Sequence, residues 1–195
     1  YGRLPMDLGA SLFRDVAEAV LLIHTDKRTH GALCPANIWL EQKAEQLVPH
    51  LRGLTEAALW PLIPGLASQL NAYLAPELRQ GQTPDTRADI YAFGVSLFEA
   101  LSGQRPDSVG GVFDLSAHLP NANADLGQLI RQATHPTREN RFQSVMALRN
   151  ILHEISIEGN LSTDEKRPER PEIGDLIAGQ HRVEGLLGEG GMARV

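Results

Sequence analysis

The stretch from Asp85 to Gly103 is the feature that most constrains how this chain can fold. Asp85 can cap a helix there, since its side-chain oxygen can accept a hydrogen bond from a free N–H of the first turn. Gly103 can end that helix in the left-handed conformation. Apolar residues cover nearly every side of it: Ile90, Tyr91, Phe93, Val95, Leu97, Phe98 and Leu101. A helix that is apolar all round must be buried all round, so the sequence predicts a central helix with other elements packed around it.

Composition excludes several classes of protein. The 195-residue chain is 42% apolar and 22% charged, as in ordinary globular proteins. Its net charge of -6 gives no support for binding nucleic acid. No apolar run approaches the roughly 18 residues of a membrane-spanning helix, and we expect no leader sequence. The single cysteine, Cys34, cannot form an internal disulfide and fits a reducing compartment, so we expect a cytoplasmic protein.

Apolar spacing predicts the elements around the central helix. Helical periodicity marks one helix from Asp7, as N-cap, to about His24, a short one over 126–133, and another starting at Ser144. Short apolar pieces between residues 26 and 42, Ala32-Leu33 and Ile38-Trp39-Leu40, predict two short strands around a loop that contains Pro35. A further strand over 47–54 contains Pro49, which favours an edge or irregular strand.

The chain changes character after the last of these helices. Residues 159–172, GNLSTDEKRPERPE, are polar and hold two prolines, which is the composition of a linker. A new pattern starts at residue 173 and is cut off at Val195, so we expect a piece of a longer polypeptide. The predicted order is a mainly helical domain over 1–158, a linker over 159–172 and the start of a second domain over 173–195.

Three motifs in the first domain occur in a characteristic order. They are HGALCPANI from His30 to Ile38, YLAPE from Tyr73 to Glu77 and DIYAFGV from Asp89 to Val95, and RFQS follows later. Together they resemble the C-terminal lobe of a eukaryotic-like serine/threonine protein kinase of the bacterial type. The resemblance covers about residues 1–155 and leaves the family's N-terminal lobe absent. It implies an α+β fold, mainly α, built around the buried central helix.

The resemblance assigns roles to individual positions. Asn37 matches an asparagine that helps to hold a metal ion. Glu77 matches the glutamate that ends the activation segment, and Arg141 the arginine paired with it. Asp89 matches the aspartate that binds the catalytic-loop backbone, and His30 the histidine of an internal hydrophobic spine.

The positions that carry the family's chemistry are occupied by other residues. Phosphoryl transfer needs a carboxylate to orient the attacking hydroxyl, cations around the transferred phosphate and a carboxylate on magnesium. Ala32 stands at the first position, Cys34 at that of the loop lysine, and Leu51 at that of the metal-binding aspartate. We therefore interpret the first domain as a pseudokinase lobe with no catalytic residue, cofactor or metal of its own. It would act by binding or regulating a protein partner or the adjacent kinase domain.

The last eight residues, GEGGMARV, fit the glycine-rich loop of a kinase. The matching positions are Gly188, Gly190, Gly191, Ala193 and Val195, with alanine at the third glycine. Small residues in such loops let backbone N–H groups approach the phosphates of ATP. The match predicts a second kinase domain, and ATP and magnesium are expected only there. The alternative function is that of a fragment of an active ATP-dependent serine/threonine kinase whose catalytic residues lie downstream.

Other functional interpretations are weaker. His24, His30 and Cys34 have side chains that suit zinc, but no fourth ligand has a sensible spacing. Cys34 has no adjacent lysine or arginine that would activate it as a nucleophile. Trp39 and Trp60 are interpreted as packing residues.

Overall fold

The computed structural model describes residues 3–44, 46–53, 71–104, 113–164, 176–177 and 181–182. Trp60 and the glycine-rich motif at 188–195 lie outside these residues. The chain divides into two compact units, Tyr1–Glu158 and Gly159–Val195. None of the helices in the described residues is long and apolar enough to cross a membrane.

The first helix, α1, runs from Met6 to Thr25 and packs against the centre of the unit. Pro5 occupies the N-cap position without a side-chain hydrogen bond, so the prediction of Asp7 as N-cap is wrong. Asp7 lies instead in the first turn, where its negative charge interacts favourably with the positive end of the helix dipole. The ring of Phe13 meets that of Phe93 edge to face, with centroids 5.3 Å apart.

A β-hairpin follows the loop that starts at His30. Strand β1 spans Ile38–Lys43 and pairs antiparallel with β2, Gln46–Leu51, in a register that places Ile38 opposite Leu51. The strand predicted at Ala32 and Leu33 is wrong, because both residues are buried in the loop before a 3₁₀ turn at Pro35–Asn37. The chain leaves β2 short of the predicted end at residue 54, and Gly53 adopts a left-handed φ of 85°.

The central helix is confirmed. After the short helix α2, Pro76–Arg79, helix α3 runs from Thr86 to Ser102. The Asp85 side chain accepts a hydrogen bond from the Arg87 N–H at 2.8 Å, and Gly103 ends the helix with a φ of 71°. Every apolar residue that predicted this helix is buried: Ile90, Tyr91, Phe93, Val95, Leu97, Phe98 and Leu101.

Two helices complete the first unit. Helix α4 spans Ala124–Ala133 and is capped by Asn123, whose side chain accepts from two N–H groups of the first turn. Helix α5 spans Val145–Asp164, so the first six residues of the segment with linker composition are helical. Polarity alone does not end a helix, and the first proline of this segment is Pro168. In the second unit, β3 at Leu176–Ile177 pairs antiparallel with β4 at His181–Arg182.

Candidate functional site: the loop beneath the central helix

Asp89, in the first turn of α3, anchors the loop that follows α1. Its carboxylate is buried and accepts hydrogen bonds from the backbone N–H of His30 at 2.7 Å and of Gly31 at 2.8 Å. The Nε2 atom of His24, at the end of α1, lies 2.8 Å from the same carboxylate. The central helix therefore fixes both ends of the segment that leads into the loop.

His30 is held as a neutral imidazole inside the core. Burial lowers the pKa of His30 below its usual value, and this outweighs the Asp89 carboxylate and the Arg52 backbone, which raise it. The ring is fully buried, and its Nδ1 atom lies 3.2 Å from the Ala32 N–H, which donates to it. A neutral ring can accept this bond, whereas a protonated ring cannot.

Asn37 connects the loop to the segment after β2. Its side-chain Nδ2 group donates to the Ala32 carbonyl at 2.8 Å. The backbone carbonyl of Asn37 accepts from the Arg52 backbone N–H at 2.9 Å. A Cβ atom built on Gly53 would lie only 2.7 Å from the Asn37 Nδ2 atom. The structure thus brings Asn37 directly against the Leu51-Arg52-Gly53 segment.

The resemblance places three catalytic positions in this region, and the side chains there are a methyl, a thiol and an aliphatic group. Ala32 and Cys34 are both buried in the loop, and Leu51 packs half-buried against the core. None of the three can place a carboxylate or an ammonium group beside Asn37. The loop keeps its shape without the groups that phosphoryl transfer uses.

A cation lies in the segment after β2 that contacts this loop. The guanidinium of Arg52 lies 4.4 Å from the centroid of the Trp39 ring, within the range of a cation–π contact. The Trp39 side chain is 52% exposed, so its interpretation as a packing residue is wrong for this chain. A positive group at this position cannot hold a magnesium ion.

Glu77 and Arg141 form a buried, two-pronged ion pair. Both guanidinium N–H···O distances to the Glu77 carboxylate are 2.7 Å, and the Arg141 side chain is completely buried. Its remaining donors bond to the backbone carbonyls of His135, Arg87 and Pro136. All five donors of the arginine are therefore satisfied, and the pair locks α2 to the segment before α5.

Two contacts of this region involve residues that the sequence motifs did not single out for these roles. The Tyr73 hydroxyl donates to the Glu99 carboxylate of α3, and His24 bonds to Asp89. The short spacing between His24 and His30 gives a weak indication that both lie near the same carboxylate. The sequence around Glu99 gives no indication of its contact with Tyr73. Within the described parts of the chain, no three side chains of His, Cys, Asp or Glu are grouped to hold a metal ion.

Comparisons with known proteins show a similarity to protein kinases. No family model matches the chain. It is 28% identical over 200 residues to the serine/threonine-protein kinase Pkn1 of Myxococcus xanthus, covering 87% of this chain and 29% of Pkn1. It is 32% identical over 124 residues to the serine/threonine-protein kinase PkaA of Streptomyces coelicolor, covering 60% of this chain and 23% of PkaA.

A solved structure agrees with these relatives. The crystal structure of the Mycobacterium tuberculosis PknI kinase domain matches with a TM-score of 0.62 and 26% identity, covering 78% of this chain and 57% of that one. The fold is that of a protein-kinase-like domain. The chain is similar in sequence to bacterial serine/threonine protein kinases. It spans less than a third of the length of Pkn1 and PkaA and 57% of the PknI kinase domain chain.

Proposed function

We propose that the first unit is a non-catalytic, kinase-like lobe that acts by binding or regulating another protein. The observation that carries this proposal is the loop itself. Ala32, Cys34 and Leu51 stand where the family places its catalytic and metal-binding groups, while Asn37 keeps its contacts to Ala32 and Gly53.

The missing groups have a large kinetic cost. Loss of positioned acid–base help alone lowers rates about 10²–10⁴-fold. Loss of the metal carboxylate adds to this, although effects within one catalytic unit do not multiply simply. Asn37 alone is a poor magnesium site, because the ion needs near-octahedral oxygen ligands that include negatively charged carboxylates.

The contacts that shape the lobe argue against a chain drifting without function. Asp89 still holds the loop backbone, and Glu77 still pairs with Arg141. A sequence under no constraint would lose anchors and catalytic groups alike. A lobe that keeps its shape and lacks its chemistry fits a binding module in the cytoplasm, with the adjacent kinase domain or another protein as partner.

The glycine-rich motif supports the proposal that a second, active kinase domain begins at the end of this chain, in a longer parent protein. GEGGMARV at 188–195 is the pattern of a phosphate-binding loop, and we propose that ATP and magnesium bind in the domain that it opens. In the alternative function, the parent is an active serine/threonine kinase by virtue of that second domain. A lysine strand and intact catalytic motifs beyond Val195 would favour this alternative.

Thermal unfolding of the chain with Mg-ATP tests the proposal. A ligand at 100 times its Kd stabilises the folded state by about 2.7 kcal/mol, which for a domain of this size raises Tm by about 5–10 °C. We expect a shift below about 1 °C. A rise comparable to that of an active kinase would overturn the proposal.

A further inference from the structure

A groove lies between α4 and α5, away from the loop described above. It encloses a cavity of about 240 Å³. Its floor is apolar and includes the largely buried Leu129, Phe142 and Ile155 with the half-buried Ile151. Its rim carries Asp125, Gln128, Gln132 and Glu154. We call this the α4–α5 groove.

The two carboxylates of the rim have no cationic partner among the described residues. Most other carboxylates of the described part of the unit are paired, for example Glu18 with Arg149 and Asp114 with Arg131. Among the described residues, no lysine, arginine or histidine lines the groove. Two negative charges from different helices therefore converge on one apolar floor.

Helix stability explains only one of these carboxylates. Asp125 lies in the first turn of α4, where a negative charge favours the helix dipole. Glu154 lies in the middle of α5, far from the first turn, and makes no ion pair with a described residue. Its position on the groove therefore remains without a structural reason.

We propose that the α4–α5 groove binds a segment of a partner protein that inserts an apolar side chain flanked by lysine or arginine. The cavity is smaller than the roughly 300–1,000 Å³ of small-molecule pockets, which favours a side chain as occupant. The apolar floor accepts that side chain, and the carboxylates select basic neighbours, since charge complementarity gives specificity. The proposal deepens the proposed function, because a lobe without catalytic groups acts through its surfaces.

Selection from a phage-displayed random peptide library on the full chain tests this surface. We expect the enriched peptides to contain Leu, Ile, Met or Phe with Lys or Arg on both sides. The affinity of a synthetic copy of the enriched peptide is then measured by fluorescence anisotropy. We expect a Kd that rises at least tenfold in the double variant Asp125→Lys, Glu154→Lys, and that rises with salt concentration.

Two matched controls separate the groove from general attraction to an acidic protein. Asp7 and Asp26 are also carboxylates without an ion pair to described residues, and they lie at the ends of α1. The double variant Asp7→Lys, Asp26→Lys makes the same change in net charge and should leave the Kd within about twofold. Ile151→Thr, which changes the floor and no charge, should weaken binding.

The proposal fails if no peptide is enriched, if the enriched peptides lack the basic–apolar pattern, or if both charge reversals weaken binding equally. Circular dichroism of every variant must show the same helical signal as the wild type. The assay contains no nucleotide. Failure here would leave the proposed non-catalytic function standing, and nucleotide binding by the lobe would not affect this result.

Discussion

At the scale of single residues, the site is organised by buried charged side chains that each have several partners. Asp89 accepts two backbone N–H groups and faces His24, and Arg141 uses all its donors. A buried polar group without a partner costs about 1–3 kcal/mol, so these contacts fix one arrangement of the loop. Because each contact depends on a buried partner, the loss of one of these side chains should change the free energy of unfolding measurably.

His30 should make the stability of the lobe fall as the pH is lowered. Its pKa in the folded state lies below its value of about 6.5 in the unfolded chain, so the folded state binds fewer protons there. This contribution is complete above about pH 6.5 and declines as the pH falls below it, by at most about 1.4 kcal/mol per pH unit. Urea unfolding between pH 7.5 and 5.5 measures the decline.

The variant His30→Gln isolates this contribution from those of His24 and Asp89, which face the same ring. Glutamine does not titrate, so the pH dependence should be flatter than in the wild type. His153→Gln, at an exposed position, serves as control and should keep the wild-type slope. Identical slopes for the wild type and His30→Gln would contradict this explanation.

Breaking the Glu77–Arg141 pair should destabilise the lobe strongly. Arg141→Met leaves the Glu77 carboxylate buried without its cation, and the loss of one partner of a buried pair typically costs about 3–5 kcal/mol. Chemical denaturation measures the free energy of unfolding, and Glu77→Gln is the milder substitute if the first variant does not fold.

The control for this prediction is the exposed pair of Glu18 and Arg149, whose nitrogen and oxygen atoms are 2.8 Å apart, close to the 2.7 Å of the buried pair. Glu18→Gln should change the free energy of unfolding by less than about 1 kcal/mol, because water solvates both charges. A cost for Arg141→Met no larger than that of the control would show that the buried pair does not anchor the lobe.

At the scale of elements, the central helix packs tightly against the end of α4 at Gly94. A Cβ atom at this position would lie 2.8 Å from the Ala133 Cβ atom and 2.9 Å from the Thr134 Cγ2 atom. Real contacts at such distances do not occur, so a side chain at 94 would push the helices apart. The glycine sets the spacing of the two helices.

Gly94→Ala should therefore cost about 1–3 kcal/mol through overpacking. Gly127→Ala in α4 is the matched control, because a Cβ there would meet only the flexible end of Arg131, at 3.5 Å. That change should be neutral or stabilise by about 0.4–1 kcal/mol, since alanine restricts the unfolded chain. Equal thermal stability of the two variants would rule out a close approach at Gly94.

The helices could be predicted from the sequence because each carries its own signal. The apolar circumference between Asp85 and Gly103 and the apolar spacing in α4 depend only on local residues. The error at Ala32 and Leu33 has a non-local cause: their burial comes from the loop held by Asp89, 57 residues beyond Ala32 in the chain. A short apolar pair does not distinguish such a buried loop from a strand.

The site shows the same division. The motifs named His30, Asn37, Glu77, Asp89 and Arg141, and the structure brings Glu77 to Arg141 and Asp89 to the loop backbone. The contact of Arg52 with Trp39 and the pairing of Tyr73 with Glu99 could not be predicted, because they depend on side-chain directions across separate elements. The α4–α5 groove was also invisible, since its rim residues look like ordinary solvent-facing positions.

At the scale of the whole molecule, the chain combines a kinase-like lobe with the glycine-rich motif at 188–195. The lobe has a protein-kinase-like fold. Ala32, Cys34 and Leu51 stand where the resemblance places the chemical groups of a kinase. The proposed division of labour is a first lobe that binds and a second domain that uses ATP. This division predicts that the chemistry of the parent protein is independent of the residual metal-site position in the first lobe.

Phosphotransfer from Mg-ATP by the full-length parent, compared between the wild type and Asn37→Ala, tests this claim most directly. With equal Tm values for the two proteins, the account predicts phosphotransfer rates that agree within about twofold, because catalytic contributions of about 10²–10⁴ come from other positions. A rate that falls 100-fold or more in Asn37→Ala, without a change in Tm, would show that the first lobe is an active kinase and would contradict the account.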